Sequence, residues 1–255
     1  MLRRGDVLPN RRRTWLFALL VAVAGGPSHV AASVPVQPLG IERLPDGNTL
    51  IADAGAGGSF LDGRALEVDS LGRLVWAYLK SDVPFVHTAR RLANGNTLMS
   101  VSGGDRVVEV NRGGDTVWTM ASGLAYPNEA YRLANGNTFI TERNNNRVIE
   151  VTPQRAIVWS YTSLAGPHNG NRLANGNALI CDSDNNLVVE VDSAGTVVWQ
   201  YAAGLSWPRC AQRLPDGNTL IADSRHNRVI EVDSFGGNRL ERERPGDAIR
   251  GRTPR

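Results

Sequence analysis

The sequence predicts an all-β protein built from five repeats of about 40 residues each. The first indication is a motif of the type Arg-Leu-Ala-Asn-Gly-Asn-Thr-Leu, which occurs five times. The second is that the apolar stretches between turn signals are only four to six residues long, too short for the helices of a helical repeat. The motif arginines follow one another at intervals of 48, 41, 40 and 41 residues: Arg43, Arg91, Arg132, Arg172 and Arg213.

The first two strands of each repeat are joined by a predicted hairpin. Its turn contains Asn-Gly or Asp-Gly, as at residues 94–95 and 46–47. Glycine adopts the positive φ that a tight hairpin turn requires, so this dipeptide indicates that the chain reverses there.

The third and fourth strands have their own signature. The third resembles Arg-Val-Ile-Glu-Val (147–151 and 228–232), and a Val-Asp-Ser-x-Gly turn follows at 68–72, 191–195 and 232–236. A Val-Trp pair marks the fourth strand in four repeats, at Trp76, Trp118, Trp159 and Trp199. Four antiparallel strands per repeat of this length predict a β-propeller with five four-stranded blades.

The fifth repeat has no Val-Trp pair, so we expect its blade to be incomplete. Residues 33–236 form the predicted propeller, and residues 237–255 are predicted to be a disordered, arginine-rich tail. Two alternatives stay open: the segment beginning Val34-Pro35-Val36 supplies the missing strand and closes the ring, or the ring is open. An unpaired blade edge recruits further strands, which suggests a homodimer through that edge.

Residues 1–32 resemble a bacterial export signal. Arginines precede a run of ten apolar residues (15–24), and small residues lead to Ala32. The run is about half of what a bilayer crossing requires, so we expect no stable membrane span. The interpretation predicts a periplasmic or secreted protein. Arg12-Arg13 resembles the twin-arginine motif, and ordinary secretion is the alternative.

The basic character of the chain lies at its two ends. The formal net charge is +3, but residues 1–32 hold five arginines and one aspartate, and residues 237–255 hold six arginines and three acidic residues. The body between them is therefore acidic, with a net charge near −4. This distribution argues against a nucleic-acid partner.

The candidate site residues lie where the sequence varies between repeats. If the first strand is innermost, the positions four residues before each motif arginine line one mouth of the channel. We predict catalytic roles for His87 and His168, which occupy equivalent places. The predicted ligand-binding residues are Asn128, Arg209, Tyr126, Trp207, Glu142, Asp182 and Asp223.

Residues that recur in every repeat are better explained by packing than by catalysis. We expect the repeated arginines and third-strand glutamates to form ion pairs or hydrogen bonds to adjoining loops, and the tryptophans to anchor neighbouring blades. Asp182 and Asp223 have a second interpretation, as carboxylates that cap loops. No spacing motif predicts a metal site, although calcium between channel carboxylates and Asn128 stays open. Whether Cys181 and Cys210 form a disulfide also stays open.

Several stretches resemble known propeller repeats. Residues 222–232 resemble the NHL-type repeat, and residues 195–201 are similar to the PQQ-like repeat. The combined pattern over residues 38–236 is similar to that of exported bacterial arylsulfotransferase-type propellers. That resemblance implies a channel histidine acting as a nucleophile, whereas the lack of an adjacent-cysteine pair argues against bound PQQ.

Two functions follow from these observations. The first is a non-enzymatic module that binds a small-molecule or protein ligand on its variable face, in the cell envelope. The alternative is an arylsulfotransferase-like enzyme that uses His87 or His168. Propellers of one fold serve many functions, so the architecture alone does not decide between them.

Overall fold

The structure is a computed structural model and describes residues 35–55, 62–80 and 83–243. The predicted export signal and residues 244–255 of the predicted tail lie outside the described residues. Twenty strands form five four-stranded antiparallel sheets, which confirms the five-bladed β-propeller. Among the described residues, no helix is long and apolar enough to span a bilayer.

Each blade contains four consecutive strands in chain order. The first strands of successive blades contact each other, which makes them the innermost strands around the channel. The strands are β1 (Pro38–Arg43), β2 (Thr49–Asp53), β3 (Arg64–Val68) and β4 (Leu74–Leu79) in blade 1; β5 (Val86–Arg91), β6 (Thr97–Val101), β7 (Arg106–Val110) and β8 (Thr116–Met120) in blade 2; β9 (Pro127–Arg132), β10 (Thr138–Glu142), β11 (Arg147–Val151) and β12 (Ile157–Tyr161) in blade 3; β13 (Asn169–Arg172), β14 (Ala178–Asp182), β15 (Leu187–Val191) and β16 (Val197–Tyr201) in blade 4; and β17 (Pro208–Arg213), β18 (Thr219–Asp223), β19 (Arg228–Val232) and β20 (Asn238–Glu243) in blade 5.

The predicted Asn-Gly or Asp-Gly turns join the first and second strands of each blade. In blade 2, Gly95 has a φ of +85°, and the Leu92 amide donates to the Asn96 carbonyl over 2.8 Å. The Asn94 side chain accepts a bond from the Asn96 amide. We call the face that carries these turns the lower face, and the opposite one the upper face.

Adjacent blades are joined by apolar clusters. At the junction of blades 2 and 3, Leu98 and Val107 pack with Ala130, Ile140 and Ile149. All five side chains are buried. Burial of one aliphatic side chain contributes about 1.5–3 kcal/mol, so each cluster is a substantial part of the stability of the ring. Clusters of the same kind join blades 1 and 2, 3 and 4, and 4 and 5.

Ion pairs join the same blades near the lower face. The motif arginine of one blade donates to the third-strand glutamate of the blade before it. This confirms the predicted structural role of both residues at four junctions: Arg91 with Glu67 (2.6 Å), Arg132 with Glu109 (2.6 Å), Arg172 with Glu150 (3.0 Å) and Arg213 with Glu190 (2.7 Å).

The tryptophans complete each junction. Each of these arginines also lies over the Trp ring of the preceding blade; Arg172 is 4.0 Å from the centre of Trp159. The indole Nε1 atoms of Trp76, Trp118, Trp159 and Trp199 donate to turn carbonyls of the next blade over 2.8–3.1 Å. The predicted role of the tryptophans as anchors between blades is therefore confirmed.

The prediction of an incomplete last blade is wrong. Strand β20 (Asn238–Glu243) pairs with β19 along its length, so the propeller extends beyond residue 236 into the predicted tail. Leu240 lies opposite Glu231 in this ladder, where Trp199 lies opposite Glu190 in blade 4. The strand forms because the exposed edge of β19 offers backbone partners, although its sequence lacks the repeat signature.

The N-terminal segment does not supply an outer strand for blade 5. The amides of Val36 and Gln37 donate to the Asp53 carboxylate, which holds this segment at the end of β2 in blade 1. Of the two alternatives for the ring, closure by this segment as an outer strand of blade 5 is therefore not formed by the described residues 35–37.

The junction between blades 5 and 1 is open within the described part of the chain. Ile41 on β1 is 72% exposed, whereas Ala89 and Ala130, which hold the same register position in blades 2 and 3, are at most 4% exposed. On the other side, Val229 on β19 is 40% exposed, while Val107 and Val148 are fully buried. No blade built from the described residues covers either of these two faces.

Candidate functional site

Five equivalent residues line the upper end of the channel, one from each blade: Leu39, His87, Asn128, His168 and Arg209. Because the first strands are innermost, these side chains converge on a cavity of about 290 Å³. The structure thus brings together four of the residues that the sequence singled out.

The two histidines are in direct contact across the channel. The ring centres of His87 and His168 are 4.9 Å apart, and the rings are nearly perpendicular. His87 also meets Phe85 edge to face, and His168 meets Trp207 in the same way.

Both imidazoles are held in the neutral form. Burial lowers the pKa of His87 to about 4, and the positive charge of Arg209 contributes to the same effect. Burial lowers the pKa of His168 to about 3, with further contributions from His87 and Arg209. At neutral pH the pair therefore presents uncharged ring nitrogens, which can bind hydrogen-bond partners or act as nucleophiles.

Two buried polar atoms beside the histidines lack hydrogen-bond partners among the described residues. One is Nδ1 of His87 itself, and the other is Oδ1 of the neighbouring Asn128. Nearly all buried polar atoms in proteins are hydrogen-bonded, so such atoms in a channel indicate a place for water or a ligand.

Arg209 brings a positive charge to this layer. No carboxylate among the described residues forms an ion pair with its guanidinium, which lies 5.9 Å from the Trp207 ring centre. Arg143 and Arg225 lie over the same ring, each at 5.7 Å. Of these, Arg143 is neutralised by Asp184 at 3.0 Å.

Aromatic residues form the rim above the channel. Phe85, Tyr126 and Trp207 occupy equivalent positions in blades 2, 3 and 5, and all have left-handed backbone conformations, with φ of 45°, 50° and 57°. Bulky residues rarely adopt this region, and strain of about 1–3 kcal/mol is stored most often at binding or catalytic sites.

Loop contacts hold two of these left-handed residues in place. The Tyr126 amide donates to Asp105, and the Trp207 amide donates to Asn186, a residue of the preceding blade. Asp105 and Asn186 are themselves left-handed. Asp105 was not among the predicted site residues; the Asn or Asp directly before the third strand of blades 2 to 5 is the signal that could have identified it.

The predicted ligand-binding carboxylates hold the upper loops. Glu142 accepts from the Ala125 amide and Arg147, and Asp223 accepts from the Ser206 amide and Arg228. Asp182 accepts from the Ala165 amide, and burial raises the pKa of this carboxyl group. All three are buried, which favours the loop-capping interpretation over direct ligand contact.

A second polar layer lies below the histidines. Arg90 donates to Glu129 over 2.7 Å, and Asn169 donates to the other oxygen of the same carboxylate. Asn171 in turn donates to Asn169. This network joins blades 2, 3 and 4 and satisfies the buried carboxylate of Glu129.

The remaining predictions for the site concern metals and cysteines. Within the described ranges, no cluster of three or more His, Cys, Asp or Glu side chains is placed to hold a metal ion. Cys181 is buried and Cys210 is exposed, and both are free thiols. The structure thus contains no bond between the two.

A larger cavity of about 900 Å³ opens between blades 4 and 5 at the lower face. Its charged lining includes Glu190 and Arg213, which form the ion pair of that junction. Because these groups are already paired, we assign the candidate site to the smaller channel cavity.

Known proteins match this chain by fold. Neither a known protein family nor a curated protein sequence matches it. Among solved structures, a protein of unknown function from Bacteroides caccae aligns with a TM-score of 0.66 at 18% identity, covering 80% of each chain. Virginiamycin B lyase from Staphylococcus aureus also gives 0.66, at 16% identity, over 84% of this chain and 72% of the lyase.

A third match comes from a complex of two proteins. The nidogen/laminin complex aligns with a TM-score of 0.64 at 15% identity, over 81% of this chain and 80% of the matched chain. These neighbours include a lyase and a protein complex, so together they establish the propeller fold and no single activity.

Proposed function

We propose that the protein is a binding module that holds a small aromatic anion at the upper mouth of its channel. The observation that carries this proposal is Arg209, whose guanidinium has no ion-pair partner among the described residues and lies next to two neutral histidines. A guanidinium in this setting favours a carboxylate, sulfate or phosphate group, to which it can donate two parallel hydrogen bonds.

The rim supports an aromatic ligand. Phe85, Tyr126 and Trp207 surround the opening, and ring-to-ring contacts already connect the rim to the histidines. The cavity of about 290 Å³ suits a ligand of one or two rings. Below the rim, the Asn128 side chain lies against His87 and presents its Oδ1 atom as an acceptor for a donor group of the ligand.

The proposed location is the bacterial periplasm or the exterior of the cell. It rests on the export-type sequence of residues 1–32. A module in that compartment meets small molecules before they reach the cytoplasm, which fits a binding role.

Calorimetric titration tests the proposal with a matched pair of probes, benzoate and its neutral analogue benzamide. We expect benzoate to bind and benzamide to bind at least about tenfold more weakly, because only the anion pairs with Arg209. Arg209→Met should remove this preference. Arg73→Met, an exposed change on the lower face of blade 1, is the control and should leave it unchanged. Equal affinity for both probes, or an unaffected Arg209→Met protein, would contradict the proposal.

An arylsulfotransferase-like enzyme is the second candidate, favoured by the contact between two neutral imidazoles. The neutral ring is the nucleophilic form. The sulfuryl group would pass from the aryl oxygen to a ring nitrogen and then to the oxygen of an acceptor phenol. One of the solved structures that share this fold is a catalytically inactive histidine-to-alanine variant of virginiamycin B lyase, with a TM-score of 0.65 at 16% identity.

The two candidates differ in turnover. Sulfate transfer from 4-nitrophenyl sulfate to phenol is followed by release of the coloured nitrophenolate. Turnover that disappears in His168→Ala or His87→Ala would establish the enzyme and exclude a purely binding role. Binding of aryl sulfate without turnover would support the module.

A further inference from the structure

Two blade faces, one at each end of the series of five, have no neighbouring blade within the described part of the chain. The blade 1 face carries Ile41 and Arg43, and the blade 5 face carries Val229 and Glu231. At the four formed junctions the equivalent positions of neighbouring blades pack against each other. These junctions therefore show which groups would complete each open face.

The charged groups of the open faces are arranged as they are in formed junctions. Arg43 donates to the Gly47 carbonyl over 2.7 Å, as Arg91 donates to Gly95 over 2.8 Å. Arg91 uses its other terminal nitrogen for Glu67, whereas Arg43 has no carboxylate partner among the described residues.

Glu231 is the corresponding acceptor. Its Oε1 accepts from Asn218 over 2.7 Å, just as Glu109 accepts from Asn96 over 2.7 Å. The second oxygen of Glu109 binds Arg132, but no arginine side chain within the described residues 35–237 reaches Glu231. One open face thus offers a cation and the other an anion, at the positions that pair elsewhere.

The open faces also carry apolar groups. Val229 lies where Val107 fits against blade 3. Ile41 is larger than the residues that hold its position at the formed junctions, which are Ala89, Ala130, Gly170 and Ala211. Each open face therefore presents an exposed apolar side chain next to a charged group that has no ion-pair partner among the described side chains.

We propose that the blade 1 face of one copy packs on the blade 5 face of a second copy, with Arg43 and Glu231 paired between the copies. A second copy is the occupant because the charge that complements each open face is carried by the other open face of this same chain. Its own blade 5 does not cover Ile41, which is 72% exposed. Such a head-to-tail contact is heterologous and either closes into a ring or continues as a chain of copies.

Charge reversal tests the contact by sedimentation velocity over a range of concentrations. We expect the wild-type protein to self-associate. Arg43→Glu and Glu231→Arg should each weaken self-association at least about tenfold, because like charges then face each other. Circular dichroism confirms that both variants remain folded. Lys80→Glu, an exposed charge reversal elsewhere on blade 1, is the control and should associate like the wild type.

Mixing the two variants separates contact between copies from closure within one copy. In a 1:1 mixture, the blade 1 face of the Arg43→Glu protein meets the blade 5 face of the Glu231→Arg protein. The two reversed charges attract each other there, so association should return. Three results would overturn the proposal: a wild-type protein that stays monomeric, variants that associate normally, or a folded mixture that does not associate. A monomer in which the Ile41 side chain is shielded from solvent would instead show that the ring closes on itself.

Discussion

Equivalent positions in the blades carry recurring residue types on the lower face of the propeller and different residue types on the upper face. On the lower face, the same arginine, glutamate and tryptophan meet at four junctions. At the upper mouth, the five equivalent positions hold five side chains of four types. Residues that recur from blade to blade therefore hold the ring together. Residues that differ between blades mark the place where a ligand would bind.

The largest effect should come from breaking one recurrent ion pair. Glu67 is buried and accepts from Arg91 and Arg112. We expect Glu67→Ala to lower the free energy of unfolding by roughly 3–5 kcal/mol, because it leaves a half-buried guanidinium without its counter-charge. Urea denaturation measures the loss.

The matched control for this change is at the open junction. Glu231 has no arginine partner among the side chains described for residues 35–237, so Glu231→Ala in dilute solution should cost less than about 1 kcal/mol. Equal losses for Glu67→Ala and Glu231→Ala would show that the recurrent pair does not hold the blades together.

The histidines of the upper mouth should make stability depend on pH. Their folded pKa values of about 4 and about 3 lie below the ordinary value of 6.5. Between pH 6.5 and pH 4 the unfolded chain binds protons that the folded chain does not. Stability should therefore be complete above about pH 6.5 and fall by a few kcal/mol as the pH decreases toward about 4.

The variant His87→Gln/His168→Gln tests the cause of this loss. Removing both imidazoles should flatten the unfolding free energy between pH 6.5 and pH 4. An unchanged slope in the double variant would assign the acid sensitivity to other groups. Denaturant titrations at several pH values across this range are sufficient.

A smaller effect is expected from one tryptophan of the lower face. Trp159→Phe keeps a ring under Arg172 but removes the indole bond to the Ser193 carbonyl. The expected loss is about 1–2 kcal/mol, from one hydrogen bond and a weaker cation–π contact. A loss below about 0.5 kcal/mol, less than a typical hydrogen bond contributes, would mean that apolar packing alone anchors the blade.

The smallest effect on stability should come from the upper rim. Tyr126→Gly relieves a left-handed tyrosine at φ 50° but removes its contact with Phe85. These effects oppose each other, so we expect the free energy of unfolding to change by less than about 1 kcal/mol. Affinity for benzoate should nevertheless decrease. If stability collapses and affinity is kept, the rim belongs to the scaffold.

The sequence predicted the repeated part of this molecule well because local chemistry determines it. The hairpin turns, the four strands of blades 1 to 4 and the pairing of motif arginines with third-strand glutamates follow from one pattern repeated in register. Strand β20 (Asn238–Glu243) was missed because it carries no Val-Trp pair; its pairing depends on the free edge of β19.

The upper mouth was predicted only as a set of neighbouring positions. That His87 and His168 touch depends on the channel width, which the sequence does not specify. The left-handed Tyr126 and Trp207 depend on Asp105 and Asn186, which are 21 residues away in the chain. Contacts of this kind are tertiary, and no local pattern encodes them.

The lower-face junction also allows a whole repeat to be added or removed. Because every copy of the repeat brings the arginine for the blade before it and the glutamate for the blade after it, a duplicated or deleted repeat leaves the remaining junctions chemically complete. Gene duplication can therefore alter the number of blades without compensating substitutions at the contacts. The width of the central channel would then change in whole-repeat steps, and with it the size of the molecule that the same scaffold can admit.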